Sequence, residues 1–86
     1  MEKFYWCYVT DCDGAWDGDP RLCRRIKAKS RFSAEHYANN WSLSVENSEG
    51  WLTGWEVADD SEKAEKEAWM LAQEEKRKRR EKKIWG

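Results

Sequence analysis

Eighty-six residues, 40% hydrophobic and 38% charged, suffice for one small domain with a thin core. The formal net charge is −1, but residues 1–75 hold nine Lys/Arg against sixteen Asp/Glu, and residues 76–86 hold seven against one. An acidic body repels polyanions and a basic tail attracts them; no stretch approaches the ~20 apolar residues that span a bilayer.

The chain reads as a single α+β domain over residues 1–75 with a basic helical extension over 76–86. Residues 3–10, KFYWCYVT, are aromatic and β-branched and predict a first strand. Alternation puts Phe4, Trp6 and Tyr8 on one face and Tyr5, Cys7 and Val9 on the other. Both faces are apolar, which suits a central strand or a strand with one face at a contact surface. Residues 11–21 hold the only Pro and two of the five Gly and form a loop. Residues 22–30 alternate Leu22, Arg24, Ile26, Ala28 against Cys23, Arg25, Lys27, Lys29, a half-buried second strand with Ile26 and Ala28 inward.

Residues 33–43 predict a helix capped by Ser33, with Ala34, Tyr37, Ala38 and Trp41 at i, i+3, i+4, i+7. Residues 51–58 predict a third strand, with Trp51, Thr53, Trp55 and Val57 on one face. Asp59, Asp60 and Glu62 open the last helix, acid at its N-terminal end as the macrodipole favours. Its expected apolar stripe is Ala64, Ala68, Leu71 and Ala72, with Trp69 beside it. The order is ββαβα, and the expected architecture is a three-stranded antiparallel sheet with both helices on one face and a long, charged C-terminal helix.

The run from Ile26 to Ala38, IKAKSRFSAEHYA, followed by a Gly-containing strand, resembles a pattern found in small orphan proteins of bacteria and their phages. In that pattern a strand ending in Ala-x-Ser/Asp runs into a Ser-x-Glu-x-x-Ala helix and a return strand. The group includes phage inhibitors of host defence of the anti-CRISPR kind. The resemblance covers about a third of the chain and is architectural. It implies a ββαβ core and the possibility of an inhibitor, and it carries no functional residue across.

Chemistry-bearing motifs are sparse. Cys7, Cys12, Cys23 and His36 have zinc-ligand chemistry, but their C-x4-C, C-x10-C and C-x12-H spacings lack a paired knuckle, and buried or incidental thiols are the better reading. Three cysteines and an N-terminus without a signal-peptide pattern point away from a disulfide scaffold and toward a reducing, cytoplasmic setting. The Asp11–Asp19 loop fails the EF-hand pattern, with Trp16 where Gly belongs and Leu22 where Glu belongs. No catalytic residue, metal or cofactor is expected, so the chain is read as a non-enzyme.

Two binding surfaces stand out. Asp11, Asp13, Asp17 and Asp19 surround Trp16, a pattern suited to a partner protein with a basic, nucleic-acid-handling surface that the chain would block. The other reading of Trp16 folds it back onto the sheet edge. The alternative surface binds RNA or DNA through Arg25, Lys27 and Lys29 beside the first strand's aromatics, with Lys76, Arg77, Arg79 and Arg80 of the tail. The tail also reads as a solvated helix end with i, i+4 pairs. Ile84 and Trp85 after it suggest self-association as a homodimer.

Overall fold

The computed structural model describes residues 2–85, with side chains described through Arg79. The chain runs β1 (Lys3–Asp11), a 3-10 turn (Pro20–Leu22), β2 (Cys23–Ala28), α1 (Arg31–Glu49), β3 (Thr53–Asp59) and α2 (Lys63–Trp85). The sheet is antiparallel in the order β2-β1-β3. The class and the element order are as the sequence predicts, and of the two readings of β1 the structure has the central strand. Among the described residues no helix is long and apolar enough to cross a membrane.

The placement of the helices is different. They lie on opposite faces of the sheet. Tyr5, Cys7 and Val9 of β1 pack with Ala28, Val57 and the α1 residues Ala34, Ala38 and Trp41. The alternate residue Tyr8 packs with Ala58, Trp16 and Met70 of α2. The physical reason lies in β1 itself: successive side chains point to opposite faces, so a strand apolar on both needs a cover on each.

α1 begins earlier and ends later than expected. Ser30, not Ser33, is the N-cap, its hydroxyl accepting from the Ser33 N–H at 3.2 Å. The helix continues past Asn39 and Asn40 because β3 uses its polar groups. Asn39 accepts from the Trp55 indole at 3.2 Å, the Ser42 carbonyl accepts from the Thr53 hydroxyl at 2.9 Å, and Glu46 accepts from the Thr53 N–H at 3.0 Å. Gly50, at φ 78°, closes the helix in the left-handed conformation, its N–H donating to the Glu46 carbonyl.

α2 reverses the expected amphipathicity. Ala64, Ala68, Leu71 and Ala72 are exposed, and the face turned to the sheet is Lys63, Lys66, Glu67, Met70, Glu74 and Arg77. Only Met70 on that face is apolar, and it is fully buried. Each charged neighbour finds a partner. Tyr8 donates to Glu67 at 2.6 Å, Lys66 pairs with Glu56 at 2.8 Å, and Arg77 pairs with Asp11 at 3.2 Å and Glu74 at 3.0 Å. The second sheet face therefore presents a phenol and carboxylates to the helix, and a polar stripe fits it better than alanines do.

Candidate functional site

The acidic loop is built inward. Trp16 is only 7% exposed, its ring set edge-on against Tyr8 at 5.0 Å, its N–H bonded to the Met70 carbonyl and its indole to the Asp19 carbonyl. The exposed-anchor expectation for Trp16 is thus corrected: the ring fills the space between the sheet and α2. Asp11 accepts from the N–H groups of Asp13 and Ala15 and pairs with Arg77, so it holds the loop and α2 together. Asp19 caps the 3-10 turn and pairs with Arg21 at 2.9 Å, which holds its carboxyl below the usual range. Of the five residues, Asp13 and Asp17 remain exposed carboxylates.

The cationic face of β2 does meet the aromatic face of β1. Phe4 stands opposite Lys27 and Trp6 opposite Arg25. The rings, however, already carry this chain's own cations. The Arg25 guanidinium lies 3.9 Å from the Phe4 centroid, the Lys27 ammonium 5.5 Å from the same ring, and Lys63 of α2 4.7 Å from that of Trp6. Asp60 accepts from the Trp6 indole at 2.8 Å and pairs with Arg25 at 3.3 Å. The Trp6 bond, followed by Arg25, holds the Asp60 carboxyl below its usual range against its desolvation. Lys29 lies exposed just past β2. In the tail, Lys76 and Arg79 are exposed, whereas Arg77 is committed to Asp11 and Glu74. The side chains of Arg80, Ile84 and Trp85 lie outside the described residues.

The thiols and His36 are dispersed. Cys7 is buried on the α1 face, its Sγ donating to the Ala34 carbonyl at 3.7 Å, and burial together with Cys23 pushes its pKa up to about 11. Cys23 points to the α2 face, where burial also raises its pKa. Cys12 and His36 are exposed. Among the described residues no group of three or more His, Cys, Asp or Glu side chains is arranged to hold a metal ion.

The exposed aromatic ringed by carboxylates exists, but at Trp69. Its ring is 48% exposed in a groove of about 420 Å³ between β3 and α2, lined by Glu56, Glu62, Glu65 and Lys66. The loop leaves the indole edge room to seat: Gly14 has φ 81°, and a Cβ there would stand 3.0 Å from the ring. Lys66 takes one carboxylate, Glu56. Glu62 pairs with Arg31, which holds its carboxyl below the usual range, and it accepts from the Asp59 N–H at 3.1 Å. Glu65 is exposed on the same helix face. The groove therefore combines three carboxylates, one ammonium and an indole face, a set that attracts the head of a Lys or Arg side chain. A sequence signal for it existed in Glu62, Glu65, Lys66 and Trp69 at i, i+3, i+4, i+7. Glu56 came from a different element and could be added only by folding.

No family model, curated protein or solved structure matches this chain.

Proposed function

We propose that this chain is a non-enzymatic protein-binding module that receives basic side chains of a partner in the Trp69 groove. The observation that carries the reading is the half-exposed Trp69 indole among Glu56, Glu62 and Glu65. A cation over an indole contributes about 0.5–2 kcal/mol, and flanking carboxylates steer its approach. The partner class is a protein with a basic patch of the sort that grips nucleic acid, and the action is occlusion of that patch. The sequence resemblance to phage inhibitors is compatible with that action.

The test is binding of a fluorescent Lys/Arg-rich peptide, read by polarisation. Trp69→Ala and Glu65→Lys are each expected to weaken it about tenfold, the equivalent of ~1.4 kcal/mol. Reversal of the loop acids Asp13 and Asp17 is expected to change it little. Equal affinity for wild type and both groove variants would sink the proposal.

A second reading is favoured by the register that sets Phe4 against Lys27 and Trp6 against Arg25. That edge, with exposed Lys29, offers phosphates a cationic strip, and bases would have to displace the resident guanidinium from Phe4. Retention on an oligonucleotide column that survives Arg25→Glu with Lys27→Glu would remove it.

A further inference from the structure

The occupant of the Trp69 groove need not be foreign, because the same helix carries the complementary charge. Glu65, Trp69, Ala72, Lys76 and Arg79 follow a 4-3-4-3 spacing, which aligns them in one seam along α2. All five are exposed, while Met70 and Glu74 on the opposite side are buried against the body. The seam is acidic and aromatic in its first half and basic in its second. It runs along the open side of the groove between β3 and α2, where the half-exposed Trp69 can be reached from solvent.

We infer that α2 pairs antiparallel with α2 of a second copy, each basic half occupying the other's acidic Trp69 groove. The inference rests on the groove's proposed taste for cations. Antiparallel alignment about the seam's midpoint, Ala72, sets Glu65 opposite Arg79 and Trp69 opposite Lys76, with Ala72 against its own copy. The small Ala72 allows close approach of the helices, Lys76 lies over the indole, and Arg79 pairs with Glu65. A parallel alignment would instead oppose acid to acid and base to base, which repels. The contact is isologous, so both grooves fill at once and the assembly closes as a dimer. A partner protein with a basic patch would then compete with the second copy for each groove.

Mass in solution tests this. Wild type is expected to sediment as a dimer at low salt and to dissociate as salt rises, since these are exposed charges. Glu65→Lys alone, and Lys76→Glu with Arg79→Glu alone, are each expected to be monomeric with unchanged circular dichroism. An equimolar mixture of the two is expected to recover the dimer, because each reversed half then meets its complement. Wild type that stays monomeric at millimolar concentration overturns the inference, as does a dimer indifferent to both reversals. Peptide binding separates this from the groove reading. If wild type is monomeric yet Lys76→Gln with Arg79→Gln still binds a fluorescent oligo-arginine through Trp69, the groove stands and its occupant is another protein. If neither dimer nor peptide binding is seen, both readings fail together.

Discussion

The two helices of this protein solve the same packing problem in opposite ways. α1 turns its apolar stripe, Ala34, Ala38 and Trp41, to the sheet, and leaves Phe32 and Leu43 exposed among polar residues. α2 turns one methionine and a row of paired charges to the sheet and leaves its alanines, Leu71 and half of Trp69 outside. α1 is held by non-directional burial, which tolerates any close apolar fit, with hydrogen bonds from Thr53 and Trp55 of β3 added to it. α2 is held by directional bonds at fixed points: Glu67 to Tyr8, Lys66 to Glu56, Arg77 to Asp11. The consequence is that the apolar stripe of α1 is committed to the core, whereas that of α2 (Ala64, Ala68, Leu71 and Ala72) stays on the surface.

The contrast predicts its largest effect at equivalent alanines. Ala38→Glu puts an unpaired charge into a site with no exposure and is expected to cost more than about 4 kcal/mol, leaving little folded protein. Ala68→Glu, on exposed α2, is expected to change stability by no more than about 0.5 kcal/mol. Urea unfolding of the pair measures both, and comparable losses at the two sites would erase the distinction between the helices.

An intermediate effect is expected at Met70, the apolar contact of α2 with the sheet. Met70→Ala should cost about 2–5 kcal/mol. By hydrogen exchange the loss should fall first on α2, with α1 amides still protected. Uniform loss across both helices would mean that α2 is as much a part of the core as α1.

The smallest effects concern pH and are taken from groups around α2. Burial works against the Glu67 carboxylate, but the Tyr8 hydroxyl and Lys63 outweigh it and hold its pKa below the usual range. Asp59, Asp60 and Glu62 at the same end of α2 are likewise depressed, chiefly by bonds from Ser61, Trp6 and Arg31 respectively. A depressed carboxylate stabilises the fold fully above its unfolded pKa, near ~4, and the gain disappears as pH falls through the lower folded value. Tyr8 runs the other way. Burial, then Glu67, raises its pKa, so its contribution is intact below the unfolded value near ~10 and declines as pH rises beyond it. Thermal unfolding across pH should show Glu67→Gln flattening the acid limb and Tyr8→Phe flattening the alkaline limb. An unaltered profile in both variants would remove the Tyr8–Glu67 bond from the account.

Much of the fold could be read from residues alone. Strand alternation located three strands and showed that both faces of β1 are apolar, because period-two patterning reports local backbone geometry directly. The spacing of Ala34, Tyr37, Ala38 and Trp41 identified the buried face of α1 for the same reason, although Tyr37 stands exposed at its edge. The sequence could not say which face of α2 is buried. Apolar periodicity assumes an apolar surface opposite, and the surface opposite α2 includes the Tyr8 hydroxyl, Glu56 and Asp11. Nor could it choose between an exposed and a buried Trp16, since both fit an Asp- and Gly-rich loop. Tertiary structure decided those points by bringing groups distant in sequence to bonding distance. In doing so it buried Trp16 of the acidic loop and exposed Trp69, where β3 supplies the carboxylate that completes the groove.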